Sequence, residues 1–481
     1  MLRTGSIAKP DRRRRRGPAT SGRVAVLALA LAGDAAAAGP RFADRADALP
    51  SGHVYDGGWE HFVGGGVAVF DCDADGWPDL YAAGGANPAR LFRNATAAPG
   101  APIAFEAAQA PPLAGVTGAW PLDIDSDGLV DLAVTRVGPN VLLRGEGGCR
   151  FSDATAAWGF AAGEAWSTAF SATWAPGEDW PTLAVGNYVD RADPDGPFGA
   201  CDANPLHRPA PGGGYGAPTP LEPGFCALSM LFSDWARRGR ADLRVSNDRH
   251  YYVRGGAEQM WRLDPLRLLG AEDGFPAPSI WGMGVASRDI DGDLRPDVAL
   301  TSMGDQLLYL TGGSPGWTLA PYETGATAHR PHVGDDGRPS TGWHAAFGDV
   351  DNDGIDDLFI AKGNVDQMPG NAMADPNSLL LGRPDGTFAE ASVAAGVASM
   401  ARSRGAALAD LNRDGRLDLV VVNRRAPMEL WENVTEDAGG WVAVTPRQAG
   451  PNGSAVGGWV ELRDADGRVR TQEITVGGGH G

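Results

Sequence analysis

Lysine is almost missing from this chain of 481 residues. Only Lys9 and Lys362 occur, and arginine supplies the other basic charge. Acidic residues outnumber basic ones by 60 to 41, and the formal net charge is −19. Proteins that bind nucleic acid need clustered positive charge, so this composition argues against that partner. Long apolar runs are missing too: the run at residues 24–32 is far too short to cross a bilayer, and no transmembrane segment is expected.

The N-terminus has the features of an export signal. Arginines at positions 12–16 and Arg23 precede the short apolar run, and small residues at 36–38 offer a cleavage site. We expect residues 1–38 to be removed on export by the general secretory or the twin-arginine route. Removing their eight basic and two acidic residues from the totals of 41 and 60 leaves a net charge of −25. The expected location is periplasmic, cell-surface or extracellular.

Cysteine is also scarce, with four in the whole chain, and an exported protein can join them as disulfides. Cys201 and Cys226 flank a segment rich in proline and glycine, and we expect them to pair and tether it. Cys72 and Cys149 either pair with each other or remain separate, and both alternatives are open.

One acidic pattern of nine residues, by contrast, occurs five times, each copy just before an apolar run. It reads Asp-x-Asp-x-Asp-Gly-x-x-Asp with small variations. The side chains at positions 1, 3, 5 and 9 converge when such a loop curls, and glycine at position 6 permits the tight turn. Carboxylates this close repel one another unless a cation lies between them. The pattern predicts about five calcium (Ca²⁺) sites with the ligands Asp71, Asp73, Asp75, Asp79, Asp123, Asp125, Asp127, Asp131, Asp289, Asp291, Asp293, Asp297, Asp349, Asp351, Asp353, Asp357, Asp410, Asn412, Asp414 and Asp418.

Three other interpretations of the pattern are weaker. An EF-hand needs a bidentate Glu at position 12, where this chain has only apolar residues. Dockerin-type loops come as a close pair, whereas successive copies here begin at least 52 residues apart. Metal-free acidic turns would explain a single copy well, but not five copies with the same polar positions.

The spacing of the copies indicates a repeat protein. Two degenerate copies, beginning at Trp174 and Asp234, fill the long gap between the second and third intact ones. Seven units then follow one another at intervals of 51 to 61 residues. Each unit reads as four short strands, which is typical of propellers. We predict an all-β fold with a seven-bladed β-propeller over residues 39–435, followed by a small truncated β module over residues 436–481.

The ring also has a predicted closure. The last unit lacks the fourth strand that begins with Phe in other units, such as Phe151 and Phe388. A matching segment begins upstream of the first unit, at Phe42. We therefore expect residues 42–46 to complete the seventh blade, which would remove two exposed sheet edges.

The loop pattern and its spacing resemble the FG-GAP/VCBS repeats of integrin-type propellers over residues 42–435. The resemblance implies that each acidic loop joins the two inner strands of a blade and binds calcium there. Trp441, Asn452 and residues 471–479 look like the start of an ASPIC/UnbV module, which follows such propellers in the cartilage acidic protein family. That family implies extracellular calcium binding and adhesion-like interactions. Two departures are the lost ligands of the third and fourth loops and the stop at Gly481, which suggests a fragment or a truncated gene.

A ligand site is expected at the mouth of the central channel, which the innermost strands line. Aromatic and basic residues near the start of these strands could form a funnel for an acidic or sugar-like ligand, through stacking and cation–π contacts. The alternative is that the tryptophans simply pack between blades. The funnel candidates are Trp59, His61, Trp166, Trp281, Trp343, His344, Arg402 and Arg404.

Two further histidines, His329 and His332, have the spacing of a metal-binding pair. Their surroundings are polar and lack any strand pattern, so a solvated loop is the better interpretation.

The leading hypothesis for function is an exported, monomeric module that binds a protein or glycan, with structural Ca²⁺ in its loops. Such a module would act in adhesion or at the cell envelope. The rival is a propeller enzyme, or an accessory protein of natural-product biosynthesis, with its site at the channel mouth. His61, His344, Arg402 and Arg404 are the polar candidates for that site, although a fold alone assigns no activity.

Overall fold

The computed structural model describes residues 39–194, 199–248, 255–312, 316–334, 337–465 and 467–481. The predicted export signal lies outside these residues. Within them the chain is almost entirely β-structure, and none of its short helices has the length and apolar character needed to span a bilayer. The short helices are the 3₁₀ turns Ala46–Ala48, Trp59–His61, Ala271–Asp273 and Tyr322–Thr324 and the α-helical turn Ser392–Ala395.

Thirty strands occur in the described part of the chain. They are β1 (Phe42–Asp44), β2 (Val67–Phe70), β3 (Asp79–Ala82), β4 (Arg90–Asn94), β5 (Phe105–Ala108), β6 (Val116–Leu122), β7 (Asp131–Arg136), β8 (Val141–Gly145), β9 (Phe151–Asp153), β10 (Ser167–Thr173), β11 (Thr182–Asn187), β12 (Asn204–His207), β13 (Thr219–Leu221), β14 (Ala227–Ser233), β15 (Asp242–Asn247), β16 (Gln259–Leu263), β17 (Leu266–Leu268), β18 (Gly282–Arg288), β19 (Asp297–Ser302), β20 (Leu307–Thr311), β21 (Trp317–Leu319), β22 (Gly342–Gly348), β23 (Asp357–Lys362), β24 (Ser378–Gly382), β25 (Phe388–Glu390), β26 (Ser403–Ala409), β27 (Asp418–Asn423), β28 (Glu429–Asn433), β29 (Trp459–Arg463) and β30 (Val469–Glu473).

Seven four-stranded antiparallel sheets form the blades of a propeller, which confirms the predicted fold class. Blades 1 to 6 are β2–β5, β6–β9, β10–β13, β14–β17, β18–β21 and β22–β25 in turn. Blade 7 consists of β26, β27, β28 and β1. In each blade the loop between the first and second strand carries the acidic pattern or its degenerate copy, and we number these loops by blade.

The second strand of each blade is buried along nearly its whole length, because neighbouring blades cover both of its faces. In β27, Leu419 and Val421 pack toward blade 6, whereas Val420 and Val422 pack toward blade 1. Each such side chain contributes about 1.5 to 3 kcal/mol of burial free energy. This arrangement explains why these strands read as continuous apolar runs rather than as alternating ones.

The ring closes as predicted from the sequence. β1 pairs with β28, and Phe42 lies opposite Asn433 while Asp44 lies opposite Trp431. The N-terminal strand therefore completes the last blade, and both ends of the ring are held by hydrogen bonds between strands.

Both pairs of cysteines form disulfides. Cys201 joins Cys226, as expected, and Cys72 joins Cys149 with the Cα atoms 4.7 Å apart. The second bond links loop 1 to a turn of blade 2, where the Cys149 N–H also donates to the Cys72 carbonyl at 3.1 Å. Of the two alternatives for Cys72 and Cys149, the structure has the paired one.

The C-terminal segment contacts the propeller and enters its centre. β29 and β30 form a separate two-stranded sheet, and the chain beyond them enters the centre of the ring. Val476, Gly477 and Gly479 bridge to the first strands of blades 3, 4 and 5. His480 is completely buried there. The position of this segment in the ring was not predicted from the sequence, because a short glycine-rich segment has no residue pattern that indicates which strands it contacts.

Candidate metal centres in the blade loops

The Asp at position 1 shapes each intact loop. The Asp71 carboxylate accepts the N–H of Asp75 at 3.2 Å and that of Gly76 at 2.9 Å. Loops 2, 6 and 7 repeat both bonds with the residues at positions 5 and 6, and loop 5 uses positions 4 and 6. This carboxylate therefore holds the loop backbone in its turn through hydrogen bonds alone, without a metal ion.

The Asp at position 9 ties the loop to the blade. Asp79 accepts the N–H of Cys72 at 2.8 Å and that of Asn94, at the end of the third strand, at 2.8 Å. The same two bonds recur in loops 2, 5, 6 and 7. Burial raises the pKa of Asp79 to about 6 and that of Asp357 to about 8. A nearby cation would favour the ionised forms of these carboxyl groups.

Two residues of each intact loop adopt left-handed backbone. In loop 1 they are Ala74 at position 4, with φ 61°, and Gly76 at position 6, with φ 86°. Loop 5 places its glycine at the other position: Gly292 is residue 4, with φ 77°, and Leu294 is residue 6, with φ 70°. Only position 6 was predicted, because position 4 holds glycine in one loop alone.

Three of the four predicted positions converge in four of the five loops: positions 1, 3 and 9 in loops 1 and 5, and positions 1, 3 and 5 in loops 2 and 6. Their role as metal ligands stays a prediction. In four loops, three carboxylates offer oxygen atoms that all lie within 4.8 Å of one another. Oxygen donors at such distances are the ligand set that Ca²⁺ takes in proteins, so the residues present fit that ion. The groups are Asp71, Asp73 and Asp79; Asp123, Asp125 and Asp127; Asp289, Asp291 and Asp297; and Asp349, Asp351 and Asp353.

Loop 7 differs from the other four in its charge. Asn412 stands at position 3, and its amide donates to Asp414 at 3.1 Å and to Glu432 at 3.3 Å. Glu432 belongs to the third strand of the blade and was not among the predicted ligands. It supplies a carboxylate beside the one position of this loop where Asn replaces Asp.

Loops 3 and 4 lack the carboxylate cluster. Loop 4 keeps Asp234 at position 1, but Ala236 and Arg238 stand at positions 3 and 5. Its last acidic residue, Asp242, accepts the Trp235 indole N–H at 2.9 Å, and Arg262 lies 3.4 Å away. Loop 3 has no Asp at positions 1, 3 or 9.

Three funnel candidates meet at the buried His480. Its ring lies 5.0 Å from that of Trp343, which in turn lies 4.0 Å below the Arg404 guanidinium. The His344 ring accepts the His480 backbone N–H at 3.0 Å. Burial lowers the pKa of His344 to about 4, so that its ring is neutral at pH 7. The chain's own C-terminal segment thus occupies this part of the channel.

The other candidates are packed or paired within the protein, and Trp166 and Trp281 belong to the same apolar cluster as Trp343. Trp166 is fully buried and packs edge-on against Trp59, and Trp281 is half-buried in the same apolar cluster. His61 is buried, and Arg402 pairs with Asp366 at 3.2 Å. Packing between blades accounts for much of this set, and binding of an external ligand by it stays a prediction.

His329 and His332 contact separate carboxylates. His329 lies 2.5 Å from Asp305, and His332 lies 3.4 Å from Glu390. Among the described residues, neither histidine belongs to a group whose ligand atoms converge. The cluster of Cys72, Asp79 and Cys149 does converge, but its two sulfur atoms are bonded to each other and offer no thiolate.

Sequence comparison supports the repeat assignment. A model of the FG-GAP-like repeat matches residues 71–134 and 349–421, which contain loops 1, 2, 6 and 7. The chain carries FG-GAP-like repeats. Human Cartilage acidic protein 1 is 47% identical over 57 residues, which is 12% of this chain and only 9% of that protein.

Comparison with solved structures gives distant matches. The BBS1N chain of a complex with ARL6DN has 12% identity and a TM-score of 0.46, and covers 83% of this chain and 99% of its own. The extracellular domain of the hybrid two-component system BT4673 from B. thetaiotaomicron has 8% identity and a TM-score of 0.43. That match covers 79% of this chain and 40% of the other.

Proposed function

We propose that this protein is an exported binding module whose propeller is stabilised by Ca²⁺ in loops 1, 2, 5, 6 and 7. The observation that carries the proposal is the convergence of three carboxylates in each of four loops. Loop 4 keeps both backbone hydrogen bonds to its position-1 carboxylate without acidic residues at positions 3 and 5. The extra carboxylates are therefore not needed for loop shape, and a bound cation is the physical reason for holding them together.

The role proposed for the ion is structural. Each ion would join the position-1 carboxylate, at the end of the first strand, to carboxylates nearer the second strand. For extracellular sites with dissociation constants of about 0.1 to 1 mM, 10 mM Ca²⁺ adds about 1.4 to 2.7 kcal/mol per occupied loop to the free energy of unfolding.

Thermal unfolding tests this role. Protein treated with a chelator should melt at a lower temperature, and 10 mM Ca²⁺ should restore the melting temperature while Mg²⁺ restores less. Mg²⁺ requires a stricter octahedral geometry and gives up its water reluctantly. A melting temperature that does not respond to Ca²⁺ would contradict the proposal.

Export is supported by the two disulfides, since such bonds persist in oxidising compartments. We extend the proposal to a C-terminal module of the ASPIC/UnbV type, of which β29 and β30 would form part.

The partner is proposed to be a protein or glycan that binds in a cleft of about 810 Å³ between loops 5 and 6 and β30. Arg383, Arg468 and Arg470 line this cleft together with acidic residues of both loops. A glycan array and a panel of extracellular-matrix proteins would identify a ligand. Arg383→Glu should then weaken its binding, whereas the exposed Arg90→Glu on blade 1 should not. Equal effects of the two variants would place the ligand elsewhere.

A further inference from the structure

One position of the third strand differs sharply between blades that otherwise share the loop. It immediately precedes the residue whose N–H donates to the position-9 carboxylate, so its side chain stands beside the loop. We call it the facing position. In the five blades with intact acidic loops, its occupants are Arg93, Arg144, Leu310, Leu381 and Glu432.

In blades 1 and 2 the facing arginine contacts the carboxylates that a metal would need. The Arg144 guanidinium lies 2.8 Å from Asp125 and 2.8 Å from Asp127, at positions 3 and 5 of loop 2. Arg93 lies 3.3 Å from Asp73 in loop 1, and it is also held by Glu106 at 2.6 Å.

In blades 5 to 7 the facing residue brings no positive charge. Leu310 packs on the apolar cluster of its blade, and so does Leu381. Glu432 instead adds a carboxylate 3.3 Å from the amide of Asn412. Other cations do approach these loops: Arg295 lies 3.6 Å from Asp293, and Arg470 lies 3.8 Å from Asp349. At loop 7, Arg416 contacts Asp414, and Arg45 pairs with Glu432 at 2.6 Å. The effect of the facing position is therefore best measured by changing it within a single loop.

We propose that the facing position sets the Ca²⁺ affinity of each loop, and that Arg93 and Arg144 make loops 1 and 2 weaker sites than they would otherwise be. The inference rests on the proposed calcium binding. An arginine charge about 6 Å from a divalent ion disfavours binding by roughly tenfold even in water. The side chains of Arg93 and Arg144 are 37% and 46% exposed, so dissolved salt and side-chain motion reduce this effect to about threefold to tenfold.

The mechanism is competition for the same oxygen atoms. Before an ion can use Asp125 and Asp127, the Arg144 guanidinium must leave them or share them. The charge pair also screens the carboxylates from each other when no metal is bound. Loops with a facing arginine should therefore hold their shape without metal and fill only at higher Ca²⁺ concentrations.

Calorimetric titration of the metal-free, full chain with Ca²⁺ tests the proposal through two opposite substitutions. Arg144→Leu copies the residue of blades 5 and 6, and should tighten one site about threefold to tenfold. Leu310→Arg copies blade 2, and should weaken one site by a similar factor. Adding Asp125→Ala and Asp127→Ala to Arg144→Leu should abolish the tightened site, which assigns it to loop 2.

The controls separate this inference from the calcium proposal itself. Arg144→Lys keeps the charge and should leave the titration close to wild type. Arg144 is on the surface, so Arg144→Leu is expected to fold, and its melting in chelator will verify this even if Leu310→Arg misfolds. If the wild type binds Ca²⁺ but Arg144→Leu leaves every site unchanged or weakens one, the facing-position inference is wrong while the calcium proposal stands. If the wild type binds none, both fail.

Discussion

Blades 4 and 6 share a loop backbone but not its acidic side chains. In loop 6 the Asp349 carboxylate accepts two successive backbone N–H groups at 3.0 and 2.9 Å, and in loop 4 Asp234 does the same at 2.8 and 2.6 Å. The residue at position 4 is left-handed in both, with φ 57° at Asn352 and 50° at Arg237. The comparison separates two tasks: position 1 shapes the loop, whereas positions 3 and 5 contribute charge that the shape does not require.

Loop 4 contacts the C-terminal sheet formed by β29 and β30. Glu473 of β30 accepts the Asp234 backbone N–H at 2.8 Å and the Ser233 hydroxyl at 2.6 Å. Arg237 pairs with Glu461 at 2.7 Å and lies 4.3 Å above the Trp459 ring. Blade 4, one of the two blades that lack the acidic cluster, therefore holds the C-terminal sheet through hydrogen bonds and an ion pair.

The largest effect on stability is expected from replacing Asp357, the buried position-9 residue of loop 6. Replacing Asp353, the exposed position-5 residue of the same loop, should have a smaller effect. In chelator, Asp357→Ala leaves the N–H groups of Val350 and Gly382 without their acceptor and should lower the free energy of unfolding by about 2 to 4 kcal/mol. Asp353→Ala should cost less than about 1 kcal/mol in chelator, but should remove the Ca²⁺ response of this loop. Urea unfolding with and without Ca²⁺ measures both. Equal losses in chelator would show that the two positions do not have separate tasks.

A second experiment converts loop 4 into the loop-6 type. Ala236→Asp and Arg238→Asp restore the acidic pattern, and Arg262→Leu frees Asp242 from its arginine partner. Because the backbone already has the required shape, the triple variant should bind one more Ca²⁺ than the wild type. It should gain about 1.4 to 2.7 kcal/mol at 10 mM Ca²⁺. The matched control, Ala236→Asn with Arg238→Asn, should not gain a site. An unchanged stoichiometry in the acidic variant would mean that the backbone similarity is insufficient.

The smallest effect concerns the C-terminal contact of blade 4. Burial raises the pKa of Glu473 to about 7, so the folded state holds this proton more tightly than the unfolded state does. The contact should thus be strongest below the unfolded pKa of about 4.5 and should weaken as the pH rises to about 7. Hydrogen exchange of β30, corrected for the intrinsic rate, should show better protection at pH 5 than at pH 8. Glu473→Gln keeps an acceptor and should remove this difference; if the pH dependence persists in the variant, Glu473 is not its source.

The blade repeat could be predicted because its signals are local. Six of the seven second strands begin with an Asp, most of them read as buried apolar runs, and the Phe42 segment supplies the missing fourth strand of blade 7. The loops in which carboxylates converge could be predicted for the same reason. Glycine at position 6 predicts a left-handed backbone conformation there, but alanine at position 4, as in Ala74, does not predict the left-handed conformation that it adopts.

Contacts between distant residues could not be predicted in the same way. The pairing of Cys72 with Cys149 depends on the packing of loop 1 against a turn of blade 2, which no spacing reveals. Arg144 reaches loop 2 only because strand register places it beside the acidic residues. His480 reaches the channel through bridges made by the backbone of the preceding residues, for which side-chain patterns give no signal.

Equilibrium dialysis of the chelator-treated protein against Ca²⁺ tests the central claim most directly. The account predicts about five ions bound per chain at millimolar Ca²⁺, with each removed by Ala substitution at positions 3 and 5 of its own loop. Loops 3 and 4 should contribute none. Absence of bound Ca²⁺ at 10 mM, or binding that survives loss of the loop carboxylates, would contradict it.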